Sequence, residues 1–243
     1  GQYYDAGFRE VDFRHDREAA RRDINRWVEA RTKDKIRELV KPGMLDDLTR
    51  LILTNAVYFK GKWAAPFKKA ATFPKRFTLL SGEEVQVPTM AQTKKFMYAE
   101  DDAIQALEMA YLGGNLSMVV LLPKKKDGIK DLEAALRAET FNGWIEALRM
   151  ETVNVFMPRF TMRAEFQLGS DLKALGMTDA FSEAGADFSG ITPDPAGLFL
   201  SQVVHMAYVD TAEEGTEAAA ATAVIENTTA QFPSRVRPKP III

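Results

Sequence analysis

The segment Leu51-Ile52-Leu53-Thr54-Asn55-Ala56-Val57-Tyr58-Phe59 is apolar on both sides of an extended backbone, the pattern of a strand buried inside a sheet. Lys60-Gly61-Lys62 ends it. Upstream, residues 8–13 alternate weakly and predict a short strand, after which Asp16 opens a helix to about Val40. Its approximate stripe is Ala20, Ile24, Trp27, Val28, Ile36 and Leu39, and Pro42-Gly43 stops it. Downstream, strands are predicted at 72–80 and 85–98. A hairpin joins Leu107–Tyr111 to Ser117–Leu122 around Gly113-Gly114-Asn115. Short helices follow at 129–137 and 139–149, a strand at 153–160, a helix at 165–176 ending on Gly176, and a strand at 198–210. Arg235 to Ile243 returns to strand pattern. Strands come in groups with helices spaced irregularly between them, which predicts a mixed α+β fold rather than repeating βαβ units.

One segment breaks these patterns. Glu213-Glu214-Gly215-Thr216-Glu217-Ala218-Ala219-Ala220-Ala221-Thr222-Ala223-Val224 is nearly free of bulky side chains and directly follows the predicted strand 198–210. Alanine propensity favours a short surface helix or linker. Gly215 and the threonines interrupt that helix, and it has no apolar stripe to bury. With period two, one face is Thr216, Ala218, Ala220, Thr222 and Val224, uncharged and small throughout. Such a face can slide between packed neighbours without overfilling the space. Both readings fit the segment taken alone.

Composition narrows the function. A net charge of −2 argues against non-specific nucleic-acid binding, and no apolar run is long enough to span a membrane. Cysteine is absent, which excludes disulfides, thiolate catalysis and thiolate metal sites while leaving the compartment open. His15 and His205 are the only histidines, too few for a multi-histidine metal site and a poor basis for a Ser/His/Asp centre. No catalytic residue, metal ligand or cofactor site is therefore assigned.

Several segments recur in a single family order. They are Ile24-Asn25-Arg26-Trp27-Val28 with Thr32, Lys35 and Ile36; Leu53 to Trp63; and Met157-Pro158-Arg159-Phe160. Leu175-Gly176-Met177, Phe181 with Asp187-Phe188-Ser189-Gly190, Ser201 to Ala207, and Glu213 to Ala220 follow. Together they resemble the serpin family, and the last segment resembles the hinge of its inhibitory members. The resemblance implies one serpin domain over residues 1–243, incomplete at both ends. Its fold would be a large, mostly antiparallel central sheet with two smaller sheets, surrounding helices and a reactive loop at about 213–234. A run of three isoleucines would also make a sticky natural C-terminus, so the chain reads as a fragment.

The resemblance further implies a mechanism. A serine protease cleaves the exposed loop, is held as an acyl-enzyme in a covalent complex, and is dragged as the loop inserts into the central sheet, a switch driven by stored strain. The hinge would be Glu213, Glu214, Gly215, Thr216, Glu217, Ala218, Ala219, Ala220, Ala221 and Thr222. The residues from Gly215 to Thr229, at about 3.3 Å each, span roughly 50 Å, enough to run the length of a long sheet. In the family the scissile bond lies fourteen residues after the hinge glycine, here Thr229–Ala230. That suits an elastase-like target with a shallow specificity pocket. Asn55 and His205 match a buried polar latch where the sheet opens, and Trp63, Arg159 and Glu213 match a gate where the loop first enters. No residue between Thr216 and Val224 is Pro or bulky on the inward face, which favours an inhibitor over the alternative, a non-inhibitory carrier or chaperone-like serpin. The basic residues Lys68, Lys69, Lys75, Arg76, Lys94, Lys95 and Lys124–Lys126 read as solvated faces, so glycosaminoglycan binding is disfavoured. A monomer is expected for the whole protein, and extracellular space is the favoured compartment.

Overall fold

The computed structural model describes residues 7–191, 198–216 and 239–242. The elements begin with helix α1 (Arg17–Arg31) and strands β1 (Leu51–Tyr58), β2 (Gly61–Lys62), β3 (Thr72–Thr78), β4 (Glu84–Glu100), β5 (Ile104–Ala110) and β6 (Ser117–Pro123). Helices α2 (Ile129–Ala135) and α3 (Ala138–Ala147) lead to β7 (Arg149–Pro158), β8 (Phe160–Gln167) and helix α4 (Gly169–Ala174). Strands β9 (Leu200–Ala212), β10 (Gly215–Thr216) and β11 (Lys239–Ile242) complete the order. These elements form two compact units, Gly1–Tyr58 with Met162–Val209, and Phe59–Thr161 with Asp210–Ile243.

In the first unit Asp16 caps α1 by accepting the Ala19 amide at 3.0 Å. The helix ends at Arg31, well short of the Val40 expected from its apolar stripe. Lys33, Asp34 and Glu38 take positive φ, which no helix allows, and Thr32 closes the turn through its hydroxyl, 2.8 Å from Val28 O. The stripe is nevertheless buried at Ala20, Val28, Ile36 and Leu39 and half-buried at Ile24 and Trp27. Ile36 and Leu39 join Val28, Val204, Met206 and Tyr208 in one cluster, brought there by a loop instead of a helix. Asn25 pins that loop by bonding both the amide (2.8 Å) and the carbonyl (2.9 Å) of Val40.

Residues 8–13 form no strand. Asp12 instead accepts the amides of Arg14 and His15 in a side-chain-closed turn, and the His15 amide chiefly holds its carboxyl below the usual range. The helix expected at 165–176 is also shorter: β8 continues to Gln167 because pairing with β9 satisfies its backbone, and only α4 remains before Gly176 at φ +99°. β1 pairs in parallel with β9, from Leu51 opposite Leu200 to Tyr58 opposite Tyr208. It is covered on one face only, since Leu53 is 51% and Val57 47% exposed, where burial of both faces was expected.

The second unit is built on β4, which pairs antiparallel with β3, β5 and β7; β5 pairs with β6, and β11 joins β7 in parallel. The β5–β6 reversal uses Gly113 and Gly114, both at positive φ. Met90, Phe96, Leu107, Met109, Val153 and Met157 fill its core together with Trp63 and Tyr111. Truncating any of these large side chains to alanine costs about 2–5 kcal/mol. That core supplies the rigid floor for the site below.

Candidate functional site

The residues expected to form the gate lie together within the second unit. Gly215 pairs with Lys62 on one side and Ala212 on the other, and Thr216 pairs with Gly61 and Thr211. The first residues of the small-residue segment are therefore already a strand, β10, between β2 and the end of β9. Glycine is required at 215. Its φ is +150°, and a Cβ there would sit 2.0 Å from the Gly61 carbonyl oxygen. The turn before it is tied down too, since the Trp63 amide donates to Glu214 O at 3.0 Å and the Phe67 amide to Glu213 O at 2.9 Å.

Trp63 Nε1 donates to Ala212 O at 3.0 Å. Arg159 Nε lies 3.7 Å from Glu213 Oε2, and Thr72 Oγ1 donates to Glu213 Oε1 at 2.8 Å. The pair is lopsided, with the Glu213 side chain 6% exposed and Arg159 52%. Half in water, the ion pair contributes under about 1 kcal/mol. Thr72 matters more, because it satisfies a carboxylate that burial would otherwise leave short of partners. Glu214 also pairs with Lys69 at 3.1 Å.

Two participants were not legible in the sequence. Thr72 comes from β3, and Tyr111, just past β5, stacks on Trp63 (4.6 Å, 13°) with its hydroxyl 2.7 Å from Thr216 Oγ1. Burial pushes the Tyr111 phenol above its ordinary range, partly opposed by that hydrogen bond. Nothing in local pattern signals a contact between residues 111 and 216.

The two residues expected to form the latch meet in the first unit. Asn55 and His205 are register partners on β1 and β9, with His205 Nδ1 3.1 Å from Asn55 Oδ1. That carbonyl oxygen accepts only from a ring protonated on Nδ1. Phe166 lies 5.9 Å from the imidazole. In this chain the pair lies on the same exposed face as Leu53 and Val57. Glu217, Ala218, Ala219, Ala220, Ala221, Thr222, Thr229 and Ala230 lie outside the described residues.

Known proteins match this chain along nearly its whole length. The family model Serpin (serine protease inhibitor) matches residues 1–239. Human leukocyte elastase inhibitor is 42% identical over 247 aligned residues, covering 95% of this chain and 65% of that protein. Among solved structures, Serpin48 of the insect Tenebrio molitor gives a TM-score of 0.82 at 34% identity over 96% of this chain and 60% of its own. A thyroxine-binding globulin in complex with thyroxine gives 0.84 at 34% identity, over 98% and 61%. The chain thus spans just under two thirds of the length of these proteins, and none of these matches supports an extracellular location.

Proposed function

The chain belongs to the serpin family, and from that premise we propose that the whole protein is not an enzyme but an inhibitor of serine proteases that works by loop cleavage and insertion. The protease serine Oγ attacks the carbonyl of Thr229, an ester forms, and the Thr229–Ala230 amide breaks as Ala230 leaves with the transferred proton. The freed segment then continues β10 between β9 and β1, moving the esterified protease with it.

One observation carries this reading: Gly215 and Thr216 already hold strand register on both sides, and the small residues that follow can extend it without overfilling the sheet. Because β10 is antiparallel to β9, a strand continuing from it would be antiparallel as well. One parallel ladder between β1 and β9 would then be exchanged for two antiparallel ones. An elastase-like target is supported by the small β-branched residue at 229 and by the similarity to leukocyte elastase inhibitor. Lys69, Arg76, Lys124 and Lys125 are each paired with a nearby carboxylate, which disfavours a polyanion partner.

A second reading, a non-inhibitory binding serpin, draws on the similarity, at 34% identity, to a thyroxine-binding globulin solved with thyroxine. The two separate in one experiment. The whole protein mixed with elastase-like proteases is expected to form an SDS-stable complex, and mass spectrometry of the released peptide to show a new N-terminus at Ala230. Cleavage without a complex supports the binding serpin, and an N-terminus at Val236 or Pro238 overturns the elastase assignment.

A further inference from the structure

Three hydroxyls gather beside the two-residue strand β10. Tyr111 OH and Thr216 Oγ1 lie 2.7 Å apart in a buried contact. Thr211, paired across the strands with Thr216, has its own Oγ1 buried without a partner among the described residues. A hydroxyl in such a place is expensive to leave unsatisfied, so the bond to Thr216 discriminates sharply between neighbours that carry a hydroxyl and those that do not.

The tyrosine is built to be rigid. Its ring is stacked on Trp63 and meets Phe59 edge-on at 4.8 Å. Its amide donates to Leu116 O at 2.9 Å, and the next amide, of Leu112, donates to Lys62 O at 2.7 Å. β2 passes beside these rings only because residue 61 is glycine: a Cβ there would come 2.7 Å from Tyr111 Cδ1 and 2.9 Å from Phe59 Cζ. The same Gly61 is the register partner of Thr216. A fixed phenol, a glycine-lined passage and a fully buried Thr216 therefore coincide at one rung of the sheet.

We propose that Tyr111 is a positioning residue for the hinge, whose hydroxyl seats the side chain of residue 216 before cleavage and so holds the first rung of the inserting strand in register. This rests on the loop-insertion reading above. Serine at 216 preserves the seat, whereas valine fills the same volume and leaves the Tyr111 hydroxyl unpaired.

Amide hydrogen exchange of segment 213–216 in the uncleaved whole protein tests the seat without any protease. Tyr111→Phe and Thr216→Val are each expected to speed exchange at 215–216 by about five- to tenfold. The double variant should be no faster than either single one, and Thr216→Ser should match the parent. The fraction of elastase-like protease trapped as SDS-stable complex should fall in Tyr111→Phe and Thr216→Val and hold in Thr216→Ser. Unchanged exchange, or additive effects in the double variant, overturns the seat. Faster exchange with an unaltered trapped fraction overturns the positioning role. A parent protein that traps nothing removes the inhibitory reading itself and with it the role in insertion, while the exchange comparison still decides whether Tyr111 seats residue 216.

Discussion

Strand β9 is bonded in two different ways along its length. From Leu200 to Tyr208 its neighbour is β1, in a direct parallel ladder, whereas at Thr211 and Ala212 its neighbour is β10, antiparallel and itself paired with β2. The β10 region is enclosed by Trp63, Tyr111 and Thr216, all buried, and glycines at 61 and 215 let three backbones approach closely. The β1 region packs Ile52, Ala56 and Tyr58 on one face against the cluster of Val204, Met206 and Tyr208, and on the other face its polar pair, Asn55–His205, meets solvent. The difference separates starting a strand from extending it. Starting fixes several residues for few hydrogen bonds, and each later rung then orders one more residue against a register already set. On the loop-insertion reading proposed above, β10 is the start of the inserting strand and the barrier lies in parting β1 from β9.

The largest effect expected from this contrast follows loop cleavage. Exchanging one ladder for two should raise the unfolding midpoint of the whole protein by tens of degrees, roughly a dozen added rungs at about 0.5–1 kcal/mol each. Thermal scans before and after limited elastase digestion read this directly, and an unchanged midpoint would mean that the β1–β9 ladder does not open.

Next comes Thr216→Arg, which places a guanidinium at a fully buried rung. Without a partner there its desolvation costs several kcal/mol, so β10 should unseat and the SDS-stable complex should give way to simple cleavage. A full yield of complex would show that the β10 start is dispensable.

The smallest effects compare the side-chain pairs of the two regions. Thr72→Val leaves the buried Glu213 carboxylate with only the half-exposed Arg159 and is expected to cost about 1–3 kcal/mol, a few degrees in midpoint. Asn55→Ala removes an exposed bond and should cost under about 1 kcal/mol. Equal losses in urea titrations would erase the contrast between the buried Glu213 contacts and the exposed Asn55–His205 pair.

Local chemistry was enough to read much of this from the residue order. Period-two and uninterrupted apolar runs located β1, β5, β6 and β9 because strand burial depends on near neighbours along the chain. The family-like segments pointed to Trp63, Arg159 and Glu213, which lie together around β10, whereas the backbone at 215 that only glycine accommodates emerged from the fold. Tertiary structure alone decided the rest. The end of α1 at Arg31 depends on a loop that Asn25 clamps to Val40, although the apolar stripe continues past it. The exposure of Asn55 and His205 depends on what covers their face, and the Tyr111–Thr216 bond joins residues with no local pattern in common. Sequence periodicity reports which side of an element is apolar, whereas the partner that meets that side is selected by contacts between residues far apart in the chain.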